Sequence, residues 1–124
     1  MKSFLATLVL GLSLAATPAF AATPLNVVAS FSILGDITRE IGGDKITLTT
    51  LVGPDGDAHT FEPAPVDART LHSADIIVMN GLHLESWMEK LVKASGSKAT
   101  LVVASTGITP RNMDEDGETI PDPH

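Results

Sequence analysis

Four short runs of apolar and β-branched residues set the limits on what this chain can fold into. They are Val27–Ala29, Ile46–Val52, Ile76–Met79 and Leu101–Ala104. Each is continuous rather than alternating, which is the pattern of a strand covered on both faces. Between them the periodicity changes to that of helices. Ile33, Leu34, Ile37 and Ile41 fall on one stripe, with Ser32 placed to cap its start and Gly42-Gly43 to stop it. Pro65 opens a second helical pattern through Val66, Ala68 and Leu71, and Leu84, Trp87, Met88, Leu91 and Val92 make a third. The order β-α-β-α-β-α-β predicts an α/β fold: a parallel four-stranded sheet with helices on both faces. No internal repeat or low-complexity tract interrupts it.

The ends differ from this body. Lys2 precedes an apolar stretch from Phe4 to Ala16, and Ala19-Phe20-Ala21 has the small-x-small form of a leader-peptidase site. The stretch is shorter than the ~18–20 residues of a membrane span, so residues 1–21 read as a secretory signal peptide, cleaved after Ala21 or Ala22. Residues 22–111 then form one α/β lobe. Residues 112–124 carry five acidic residues and two prolines with no apolar period, and read as an exposed acidic loop.

Charge and cysteine usage narrow the function. The net charge of −7 becomes −8 once Lys2 leaves with the leader, a surface that disfavours nucleic acid and suits a cation. The sequence has no cysteine. An exported chain without disulfides must rest on its core, and it lacks the residue that carries a lipid anchor. The periplasm is the expected compartment, and a monomer the expected state.

Two histidines sit where chemistry is expected. His59 lies in Gly53–Pro63, a loop leaving the carboxyl end of the second run, and open parallel sheets place ligands at that edge. Neutral imidazole is the commonest metal ligand, and its second nitrogen needs an acceptor, which Glu62 or Asp57 would supply. A solvated loop histidine would read the same way. His124 closes Pro121-Asp122-Pro123-His124, 65 positions later and beyond the fourth run, so it reaches the same edge. His83 also follows a strand, as an accessory ligand or as part of the helix entry. His72 belongs to a helical pattern and is expected at the surface. His59-x-x-Glu62 would also suit a small metal-dependent hydrolase, but Pro63 and Pro65 argue against a helix there, and neither a nucleophile constellation nor a phosphate-binding glycine loop is present.

The stretches Val28–Asp36, Gly53–Pro63 (with GDAHTFEP at its centre) and Asp75–Leu91 together resemble the zinc/manganese solute-binding proteins of ABC importers. The resemblance covers nearly all of the chain after the leader. It implies two α/β lobes joined by a long helix, with the metal held between them by three histidines and a carboxylate. His59 and His124 match the two histidines of the N-terminal lobe, and the other two ligands would come from a C-terminal lobe that this chain does not contain. The chain is thus expected to be an N-terminal fragment. The implied function is periplasmic capture of zinc or manganese and delivery to an inner-membrane permease, without catalysis; a metal-independent adhesion module is the alternative from another class. Two departures stand out. Where many zinc-specific members carry a histidine-rich loop, Asn112–Ile120 is short and acidic, and where members often have a small or polar residue, this chain has His83.

Overall fold

The computed structural model describes residues 22–124, so the leader expected at residues 1–21 lies outside the described residues. β1 (Leu25–Phe31) leads into α1 (Ser32–Gly42), and a short 3-10 turn leads on to β2 (Ile46–Val52). A long loop precedes α2 (Pro65–His72), then β3 (Ile76–Met79), α3 (Met88–Ser95) and β4 (Thr100–Val103). The strands lie in the order β2-β1-β3-β4, and all three pairings are parallel. The parallel pairing is the one the four apolar runs predict.

Helices cover both faces. Val28 pairs in register with Ile77 and Thr49, and Val28 and Ile77 pack with Leu71, Met79, Met88 and Leu91, so α2 and α3 share one face. Ala29 pairs with Thr50, whose side chain meets α1 at Gly35 on the opposite face. The central strand β1 is therefore buried from Val27 to Ser30, while the edge strand β4 leaves Leu101 and Val102 exposed. Pro65 starts α2 as expected: the Asp67 carboxylate accepts the Ala64 N–H at 2.8 Å, and Ala64 O accepts the Asp67 N–H at 2.9 Å.

Two elements depart from expectation, α1 and the acidic tail. The isoleucine stripe of α1 does not face the sheet: Leu34 is buried, but Ile33, Ile37 and Ile41 are 65%, 51% and 83% exposed. Glycine decides the contact face. A Cβ on Gly35 would stand 2.5 Å from Thr50 Oγ1, and one on Gly42 would stand 2.4 Å from Ile46 Cδ1. The helix lies close to β2 along its small residues, which turns the stripe outward. The helix also starts one residue earlier than expected, with Phe31 in the cap position and Ser32 already helical; Gly43, at φ 52°, ends it.

The second departure is the acidic tail, expected as a loop. Residues 112–121 instead form an antiparallel hairpin, β5 (Asn112–Glu115) with β6 (Glu118–Pro121). Asp116 and Gly117 both have positive φ, 51° and 83°, the form of a two-residue turn whose twist matches paired strands. Met113 pairs with Ile120, and Thr119 Oγ1 donates to Asp114 Oδ1 at 2.8 Å.

The packing predicts a contrast between two isoleucines. Ile77→Ala, at a fully buried position, is expected to lower stability by about 2–5 kcal/mol. Ile41→Ala, on the outward stripe, should change it by less than about 0.5 kcal/mol. Denaturant unfolding of both variants checks this, and equal losses would contradict the orientation of α1.

Candidate metal site

The β2–α2 loop leaves the carboxyl edge of the sheet and turns at once, with the Gly56 N–H donating to Gly53 O at 3.0 Å. Asp57 then organises the segment that follows. Its Oδ1 accepts the His59 backbone N–H at 2.8 Å and its Oδ2 accepts the Thr60 hydroxyl at 3.0 Å. From below, Trp87 Nε1–H donates to Ala58 O at 2.7 Å, and the indole packs on Phe61 with ring centroids 4.8 Å apart.

The second segment repeats this turn. Asp122 Oδ1 accepts the His124 backbone N–H at 3.0 Å and also the ring Nδ1–H at 2.9 Å. The Asp122 N–H donates to Arg111 O at 2.6 Å, and Asn80 Nδ2–H donates to Pro123 O at 2.9 Å. Asp57-Ala58-His59 and Asp122-Pro123-His124 are thus two copies of one device: an aspartate that fixes the backbone of the histidine two residues on.

The two turns bring the imidazoles together. His59 Nε2 and His124 Nε2 stand 3.2 Å apart, with ring planes at 63°. The Asp122 carboxylate can only accept from His124 Nδ1–H; a neutral His124 ring then has its lone pair at Nε2, where a proton on His59 Nε2 would close the contact. A divalent ion in place of that proton would meet both nitrogens. At zinc–nitrogen distances of ~2.0–2.1 Å, a 3.2 Å separation subtends about 100° at the ion, close to the tetrahedral angle. The pair therefore fits a metal, as two donors of a larger set. Among the described residues, no group of three or more histidine, cysteine, aspartate or glutamate side chains could hold an ion.

The other candidates take different places. Asp57 serves the His59 backbone, and not the ring as expected; Glu62 is exposed and bonds to neither imidazole. His83 is exposed in a left-handed turn, at φ 64° directly after Leu82 at φ 55°, five residues ahead of α3. It lines the same cavity of about 910 Å³ as His59 and His124, with Met113, Glu115 and Ile120 of the hairpin, but does not join the pair. His72 is at the surface, its Nδ1 hydrogen-bonded to Ser95 O at 3.0 Å.

Three residues that matter were not singled out for this role by the sequence. Glu85 is 1% exposed and accepts the Ser30 hydroxyl at 2.7 Å, the Asn80 backbone N–H and the Gly81 N–H at 3.1 Å. Asn80 and Trp87 flank it in the chain and tether the two histidine turns. No sequence signal separates Glu85 from an ordinary polar residue on an amphipathic helix.

Fold and site together define a class: α/β units that present imidazole donors from loops at the carboxyl edge of a parallel sheet. Over residues 27–124 the chain matches the model of the family described as ZnuA, zinc-uptake complex component A, periplasmic, and it belongs to that family. It is 37% identical over 82 residues to the manganese-binding lipoprotein MntA of Halalkalibacterium halodurans, covering 66% of this chain and 27% of that protein. The Mn-bound periplasmic metal-binding protein of Candidatus Liberibacter asiaticus superposes with a TM-score of 0.71 at 38% identity, over 81% of this chain and 37% of that one. A zinc-bound ZnuA deletion mutant superposes at 0.72 with 33% identity, over 81% and 38%. The chain thus spans about a quarter to two-fifths of the length of these relatives.

Both aspartates should titrate low. The His59 backbone N–H, then the Thr60 hydroxyl, hold the Asp57 carboxyl below the usual aspartate range, and the His124 backbone N–H, then its ring, do the same for Asp122. A depressed folded-state pKa stabilises the turn above the unfolded value, and that contribution is lost as the pH falls through the folded value. Carboxyl NMR titration is expected to place both midpoints below about 3.9. A midpoint at or above that value for either residue would refute the turn geometry.

Proposed function

We propose that this protein captures a divalent transition metal, zinc or manganese, in the periplasm and passes it to an ABC-type permease in the inner membrane. The 3.2 Å approach of His59 Nε2 to His124 Nε2 carries the reading, because two imidazole nitrogens held at that separation match the bite of one ion. Relatives named for manganese, and solved relatives holding manganese and zinc, support the class of cargo. In this reading His59 and His124 are ligands, a second lobe supplies the remaining histidine and carboxylate, and the metal is bound and released without turnover.

The route outside the cytoplasm is a cleaved leader. Several curated relatives are named lipoproteins, whereas this sequence has no cysteine to carry a lipid, so we read the mature protein as free in the periplasm. Among the described residues no helix is long and apolar enough to cross a membrane.

Calorimetry with zinc and with manganese on the purified chain tests the site. Two donors are expected to give one-to-one binding far weaker than the ~10–16 kcal/mol of a complete structural zinc site. His59→Ala and His124→Ala should each abolish it, and His72→Ala should leave it unchanged. Equal effects from His59→Ala and His72→Ala would sink the assignment. For the compartment, mass spectrometry of periplasmic material should find a mature start at Ala22 or Thr23.

A further inference from the structure

The two histidine turns hang from one connection. Residues 80–87 join β3 to α3, and the first and last of them each bond to one of the histidine turns. Asn80 Nδ2–H donates to Pro123 O at 2.9 Å, and Trp87 Nε1–H donates to Ala58 O at 2.7 Å. Both accepting carbonyls belong to the residue immediately before a metal-facing histidine. Each histidine is therefore fixed twice: its own N–H by an aspartate, and the preceding carbonyl by the β3–α3 connection.

The connection itself is stiff. Glu85, inside it and fully buried, gathers the N–H groups of Asn80 and Gly81 and the hydroxyl of Ser30 at the end of β1. Gly81, Leu82 and His83 run at φ 84°, 55° and 64°, a left-handed path that no helix or strand could replace. Space is also closed at Gly81, where a Cβ would stand 2.5 Å from Val103 Cγ1 and 2.8 Å from Ser105 Oγ.

We infer that Asn80 and Trp87 are positioning residues that set the separation of the two imidazoles, with Glu85 as the anchor that keeps the two tethers in register. The inference rests on His59 and His124 being the metal donors. The physical reason is the narrowness of the requirement. One ion can bridge the nitrogens only while they stay near 3.2 Å, and both rings are carried by exposed turns that these two tethers bond to the β3–α3 connection. Groups that orient metal-bound histidines are typically worth 10–100-fold in affinity.

The test uses the purified chain with zinc for affinity and copper(II) as the spectroscopic probe. Asn80→Ala removes one tether, and Trp87→Phe removes the other while keeping an aromatic ring against Phe61. Each is expected to weaken zinc binding about tenfold. At equimolar copper, the paramagnetic spectrum of the parent should show coupling to two imidazole nitrogens, and that of each variant to one. Loss of general stability would not convert a two-nitrogen signal to a one-nitrogen signal in protein shown by circular dichroism to be folded. Two-nitrogen coupling and parent-like zinc affinity in Trp87→Phe and in folded Asn80→Ala would overturn the inference. If His59→Ala and His124→Ala also left zinc binding intact, the metal reading itself would fall; if they abolished it, only the positioning role would.

Discussion

The burial of one carboxyl group orders the functional edge of this molecule. Glu85 is almost wholly removed from solvent, and an acidic group placed there costs several kcal/mol unless its oxygens are met by donors. Three donors meet them, from Ser30, Asn80 and Gly81, and no buried side-chain nitrogen or oxygen among the described residues lacks a partner. The partners come from the ends of β1 and β3, adjacent central strands of the sheet. The requirement to satisfy Glu85 thus ties the strand ends to the connection above them, and the connection to the two loops that carry imidazoles. A parallel sheet places its loops at one edge; the buried carboxyl fixes how those loops stand there.

The paired Asp-x-His turns show how exposed loops can hold two histidines beside each other. Both histidines are largely in solvent, where side chains normally wander. Each is restrained locally by an aspartate two residues back and remotely by a tether on the preceding carbonyl. His124 has a third restraint, the Asp122 bond to its Nδ1, which also sets the tautomer that leaves Nε2 free. These bonds fix the backbone of both turns and the ring of His124, so less conformational entropy remains to be lost on any later binding there.

How much of this was legible in the sequence depended on how far apart the interacting residues lie. The four strands and their parallel pairing followed from local runs, because continuous apolar segments separated by helical patterns admit few other arrangements. His59 and His124 emerged from loop position and from the family resemblance. The isoleucine stripe of α1 misled because apolar periodicity says which residues share a face, while Gly35 and Gly42 decided which face meets the sheet. The hairpin was written in Asp116-Gly117, a local signal outweighed by the acidic composition around it. Glu85 and its tethers were not legible. Their partners lie 55 residues away for Ser30, 43 for Asn80 with Pro123, and 29 for Trp87 with Ala58, and nothing local marks such pairs.

On the reading proposed above, with His59 and His124 as donors, the geometry also bears on which ion the half-site would prefer. A fixed bite of 3.2 Å spans about 100° at zinc–nitrogen distances, and the longer bonds of a larger ion such as manganese narrow it towards the right angle of a six-coordinate shell. Both are within the ordinary range of those ions, so the two imidazoles would accept either. Charge does not discriminate between them, since both are divalent and both imidazoles are neutral when they bind. The negative field of the chain, with Asp122 behind one ring and Glu115 in the cavity wall, would draw either cation equally. Choice must then lie in the number and kind of the remaining donors: two more in a tetrahedral array favour zinc, while added oxygen donors favour manganese. On that reading the two imidazoles would fix where an ion sits and the angle at which it is first held, and its identity would be left to whatever completes the shell.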